Sequence, residues 1–161
     1  MAIINDVRNL AAYIQKKYFE DKQMMISPIK MQKSLYFLFA YWGGFVRKSN
    51  RYPDVEDNMG KYDERLFDEP IEAWVYGPVI PVVYREFDNI ESYYSENIFS
   101  GLDQVKDFVD GLLKDLFNVS DFTLVEISHE DKAWKMNFSK DNLRHNTEIY
   151  KEEIIQEYAN K

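Results

Sequence analysis

The stretch from Ser27 to Gly44 constrains this chain more than any other. Ser27 offers a side-chain cap, Pro28 fits the first helical position, and the run Ile29 to Trp42 that follows is apolar on almost every side. Met31, Leu35, Leu38 and Trp42 recur at helical spacing and define the main buried stripe, while Tyr36, Phe37 and Phe39 spread apolar surface beyond it. A helix of this kind must be surrounded by others, so it belongs at the centre of a fold. Gly43-Gly44 predicts its C-terminal stop. At 100° per residue, Lys33 projects away from the main stripe, flanked by Gln32 and Tyr36 on one side and Lys30 on the other.

The other elements are also mostly helical. Asn5 is a candidate cap for a helix packed through Val7, Leu10, Ala11, Ile14 and Tyr18. Residues 71–78 alternate with the two-residue period of an extended segment, and Gly77-Pro78 forces a turn. Helices are predicted from Pro81 to Phe87, from Leu102 to Phe117, and from Asp121 to His129 behind a Ser120 cap, the last with Leu124, Ile127 and Ser128 inward. Trp134 reads as an anchor, and Glu148–Tyr158 as a final helix packing through Ile154, Ile155 and Tyr158. Residues 46–70, polar and increasingly acidic, read as a long exposed loop insertion. At 161 residues the chain suits one core. The expectation is a mainly α, compact single domain over 1–161: six or seven helices with a short central extended segment.

Little in the sequence supports catalysis. There are no cysteines, which removes disulfides, thiolate metal sites and a cysteine nucleophile together. His129-Glu130 begins a zinc-protease pattern, but Ala133 stands where the second histidine belongs; His145 sits in a polar stretch. Glycines are too scattered for a phosphate loop, and the acidic 54–72 stretch lacks calcium-loop spacing. The expectation is therefore no enzyme, no metal and no cofactor. No apolar run approaches a membrane span, and the N-terminus lacks a signal pattern, so a cytoplasmic location is expected.

The net charge of −8 is unevenly spread: residues 1–51 carry nine Lys/Arg against three Asp/Glu, and the remainder carries eleven against twenty-five. Such an acidic chain is a poor non-specific nucleic-acid binder. The basic first third either faces the acidic remainder within the fold or serves a nucleic-acid-binding regulator, the alternative function. Twelve Tyr, eleven Phe and three Trp tilt the reading toward partner binding, because aromatic groups desolvate much surface at low entropic cost. Tyr52, Tyr62, Tyr93, Tyr94 and Phe99, on polar or irregular stretches, are candidate interface aromatics, and they permit a homodimer.

Two motifs carry a family resemblance. Lys30-Met31-Gln32-Lys33-Ser34-Leu35-Tyr36 resembles the K-L-Q-K-L-L-Y helix of the Panacea-domain family, which includes SocA-like antitoxins and phage-associated GepA-type proteins. Leu66-Phe67 through Ile71-Glu72-Ala73-Trp74 to Gly77-Pro78-Val79 resembles its L-F-x-x-x-F-E-A-W-x-x-G-P-V signature. Ile127-Ser128-His129 and Trp134 extend the likeness, with Gly77, Pro78 and Trp134 as its structural positions. Met31 and Ser34 replace leucines, Ile71 an aromatic residue and Ala133 a proline. The resemblance implies a compact helical domain without catalytic residues, in a bacterial or prophage antitoxin. It further implies neutralisation of a cognate toxin protein by direct binding, in one branch with delivery to a protease.

Burying Lys33 would cost several kcal/mol without compensation, and Glu72 is the expected partner. Two readings follow. Lys33 and Glu72 lock the fold, or Lys30, Gln32, Lys33, Tyr36, Glu72, Trp74 and Tyr76 line a polar-rimmed groove that receives a toxin segment.

Overall fold

The computed structural model describes residues 2–52, 59–138 and 147–161. Among them are seven α-helices: α1 (Val7–Lys22), α2 (Pro28–Arg51), α3 (Pro81–Glu86), α4 (Asp103–Leu116), α5 (Asp121–His129), α6 (Lys132–Asn137) and α7 (Lys151–Ala159). A 3-10 helix, Phe87–Tyr93, continues from α3. Three short strands, β1 (Glu72–Trp74), β2 (Gly77–Val79) and β3 (Thr147–Glu148), form an antiparallel sheet in the order β2-β1-β3. The mainly α architecture agrees with the sequence reading, and β3 extends the predicted central segment into a sheet.

Helix α2 is the axis of the core. Met31, Leu35, Tyr36, Leu38, Phe39 and Trp42 are sealed from solvent. Its start is as expected: Ser27 accepts from the Lys30 N–H. Its end is not, because the helix runs through Gly43-Gly44 to Arg51. A Cβ at Gly43 would lie 2.6 Å from Ile155 Cγ1, and one at Gly44 would lie 2.8 Å from the Tyr158 backbone. The glycines therefore admit α7 against α2. Each weakens the helix by ~1 kcal/mol relative to alanine, which the close packing offsets.

Helix α1 is capped by Asp6 rather than Asn5. Asp6 Oδ1 accepts from the Arg8 N–H at 2.9 Å, and Glu69 Oε2 from the Val7 N–H at 3.0 Å. The Arg8 side chain beside Asp6 holds that carboxyl below its usual range.

The reading of 46–70 as an exposed loop is corrected. Residues 46–51 are the last turns of α2, and residues 53–58 lie outside the described residues. Leu66 and Phe67 are completely buried. The segment is laid along the core: Ile3 and Ile4 donate to the carbonyls of Arg65 and Leu66, Trp42 Nε1 donates to Asp63 O, and the rings of Phe67 and Phe39 meet at 5.0 Å. Met59, Leu66 and Phe67, with Tyr62 against Trp42, are the apolar contacts that pin it among its many acids. Helix α5 has the predicted bounds, but Ile127 is exposed; Leu124 and Ser128 make the inward face.

Much of the basic first third is engaged within the fold. Arg47 pairs with Glu64 and Glu152, each at 2.8 Å. Arg51 donates to Ala159 O and Lys48 to Lys161 O.

Candidate protein-interaction site

The polar residues of the α2 motif point inward and hold backbone. Lys30 Nζ donates to Val119 O at 2.5 Å, in the connection after α4, and lies 3.5 Å from Asp121 Oδ1. Gln32 pairs with the main chain of Ile80 as another strand would: Ile80 N–H donates to Oε1 at 2.7 Å, and Nε2 donates to Ile80 O at 3.2 Å. Lys33 Nζ donates to Pro78 O at 2.8 Å. These contacts follow from the hairpin register. Trp74 opposes Gly77, Ala73 opposes Pro78 and Glu72 opposes Val79, so the Pro78 carbonyl faces away from β1, along the outer edge of the sheet. Proline has no N–H to satisfy there, and Lys33 takes the carbonyl that remains.

The expected Lys33–Glu72 pair does not form. Glu72 Oε1 instead accepts from Trp74 Nε1 at 2.9 Å. Lys33 is 2% exposed, and burial pushes its ammonium down to about 7. Gly77 has φ +108°, and a Cβ there would lie 2.4 Å from Ser128 Oγ and 2.9 Å from Lys33 Nζ. Only glycine fits both the backbone and the space.

Tyr36 is likewise internal. Its hydroxyl donates to Asp131 Oδ2 at 2.5 Å, and Tyr158 donates to the same oxygen at 2.6 Å. Burial, with Asp131 beside them, raises both phenols above their usual range. Lys30, Lys33 and Tyr36 are thus walls of the core and do not line an open groove, whereas Gln32, equally buried, reaches the floor of a surface cleft. The chain pattern marked them as polar and aromatic; it could not show that their partners are carbonyls, an amide and a carboxylate from distant segments.

What those contacts hold outward is the hairpin tip. Trp134 Nε1 donates to Trp74 O at 2.8 Å, and His129 Nε2 donates to Val75 O at 3.0 Å, which requires the Nε2–H tautomer. His129 stacks on Trp134 at 4.2 Å, and Trp134 on Phe138 at 4.8 Å. With its backbone pinned, the turn displays Val75 and Tyr76, the latter 64% exposed. Tyr84 of α3, 59% exposed, meets the half-buried Trp74 edge-on at 4.9 Å. Tyr84 also walls a cleft of about 360 Å³ with Pro28, Gln32, Arg85, Phe87 and Asp88. Of the predicted site residues, Glu72, Trp74 and Tyr76 therefore come together at the surface. Tyr84 was missed, since its helix gave no sign of facing the hairpin.

The loop aromatics separate. Phe99 is buried against Tyr13, Tyr62 and Tyr93 are half-buried, and Tyr52 and Tyr94 are exposed. His145 lies outside the described residues. Among the described residues no group of His, Asp and Glu is placed to hold a metal ion, and no helix is long and apolar enough to cross a membrane.

The fold and this site define a class: a mainly helical domain that clamps a short hairpin against its central helix and displays the hairpin tip. Residues 56–135 match the family model of the antitoxin SocA-like, Panacea domain, and this stretch belongs to that family. The match contains the hairpin signature, Ser128, His129 and Trp134; the α2 motif lies before it. No curated protein and no solved structure matches the chain.

Proposed function

We propose that the protein is an antitoxin that neutralises a cognate toxin by stoichiometric binding rather than turnover, through the face formed by Trp74, Val75, Tyr76 and Tyr84. The supporting observation is the clamped hairpin tip: exposed aromatic side chains on backbone whose carbonyls are already held by His129 and Trp134. Binding hot spots favour such groups, and a surface that is ordered in advance loses less entropy on association. Membership of the matched stretch in the antitoxin family supplies the partner class. The internal engagement of Lys30, Lys33, Arg47, Lys48 and Arg51 weighs against the nucleic-acid alternative.

The test is co-expression with the product of the neighbouring reading frame. A growth-inhibiting product should co-purify in equimolar amount, and joint replacement of Tyr76 and Tyr84 by Ala should weaken the complex at least about tenfold without lowering the melting temperature. Neutralisation by substoichiometric antitoxin would refute masking. Persistence of neutralisation in a protease-deficient host would separate masking from delivery to a protease.

A further inference from the structure

The open side of Trp74 has a chemistry of its own. Trp74 and Tyr84 stand with their ring planes 69° apart and centroids 4.9 Å apart, forming a two-walled aromatic corner at the surface. Alternation along β1 puts Glu72 on the same face of the sheet as Trp74, and the Trp74 indole N–H ties the Glu72 carboxylate to that corner at 2.9 Å. Across the ladder, Glu72 lies directly opposite Glu148 of β3. Like charges in directly opposed positions destabilise a sheet.

The neighbouring charges do not remove this excess. Lys151 of α7 faces Glu148, Asp68 and Glu69, but it is half-buried and its ammonium is lowered by desolvation. Arg65 is committed to Asp63 and Asp68, at 3.2 and 2.9 Å. Five carboxylates, Asp63, Asp68, Glu69, Glu72 and Glu148, therefore stand against Arg65 and Lys151. Arg85 beside Tyr84 adds one further cation without cancelling the excess. Aromatic faces beside carboxylates attract a cation through the ring quadrupole and the net charge together.

We propose that the corner made by Trp74, Tyr84, Glu72 and Glu148 receives one arginine or lysine side chain of the partner protein. This rests on the binding reading above and adds its specificity: the toxin contributes a basic anchor flanked by apolar surface.

The probe is N-acetylarginine N-methylamide, with the uncharged citrulline analogue as control, titrated into the full chain while the Trp74 indole N–H is followed by NMR. Saturable movement with the arginine compound and none with citrulline is expected. Glu72→Gln keeps an acceptor for the indole and removes only charge, and it should weaken binding about fivefold. Tyr84→Ala, at an exposed position, should do the same without unfolding the protein. Equal response to arginine and citrulline, or an unchanged affinity in Glu72→Gln, overturns the proposal. Should the Tyr76 and Tyr84 double replacement still abolish toxin binding, only the basic-anchor assignment has failed. An arginine response of the wild-type chain beside unimpaired toxin binding in that double variant would instead reject the hairpin face as the toxin site.

Discussion

Replacing Lys33 by Met tests the account of the central motif most directly. Lys33 is buried at the edge of β2, and among the described residues Pro78 O is its one hydrogen-bond acceptor. Desolvation lowers its pKa from 10.5 to about 7. At ~1.4 kcal/mol per unit, that difference is a penalty on the order of 5 kcal/mol against a side chain with no charge to desolvate. The lost hydrogen bond and the orphaned Pro78 carbonyl return about 2 kcal/mol of it. Lys33→Met should therefore stabilise the protein at pH 7 by roughly 2–3 kcal/mol.

The pH dependence gives an independent sign. Between the folded and unfolded pKa values the unfolded chain binds the additional proton, so wild-type stability should rise from pH 7 toward pH 10. The slope approaches ~1.4 kcal/mol per pH unit. Above pH 10 the trend reverses, because the buried phenols of Tyr36 and Tyr158 keep protons that the unfolded chain releases. Urea unfolding at half-unit steps from pH 7 to 9.5, for wild type and Lys33→Met side by side, isolates the lysine, since every other titration cancels in the difference. Parallel curves for the two proteins would refute the reasoning, as would a variant less stable than wild type at pH 7.

Two further substitutions probe the same region. Gly77→Ala forces a Cβ against Ser128 Oγ and Lys33 Nζ at a left-handed φ, and thermal unfolding should show a loss of at least about 2 kcal/mol. Ser34→Ala removes a buried hydroxyl that has no hydrogen-bond partner among the described residues, and chemical denaturation should show a gain of about 1 kcal/mol.

The starts of elements were legible in the sequence, whereas long-range contacts were not. Ser27-Pro28 and Ser120 announce their helices because a cap is a local event, settled within three residues. Gly43-Gly44 misled for the opposite reason: a glycine pair ends a helix when judged locally, and only α7, more than a hundred residues later, makes the same pair a packing groove. The burial of Leu66 and Phe67 was hidden by the acids around them. The motif Lys30-Gln32-Lys33 drew attention correctly, but its outward assignment failed. A lysine or glutamine on a central helix can satisfy a bent connection or a strand edge as readily as it meets solvent, and periodicity does not distinguish the two. Glu72 and Trp74 share the outer face because the alternation of a strand fixes sides without knowledge of the rest. Tyr76 is exposed for another reason: it and Val75 form the turn, where alternation no longer holds.

The arrangement of Gln32 and Lys33 along β2 also bears on how this molecule behaves in a crowd. A border of unsatisfied peptide groups invites other chains to add themselves in register, the first step toward fibrils. Here the Pro78 carbonyl and both peptide groups of Ile80 are occupied by side chains from α2, and proline withholds the remaining amide. Polymerisation from that margin must first pry the start of α2 away from the core, so the same few bonds that shape the hairpin also help keep the chains separate from one another.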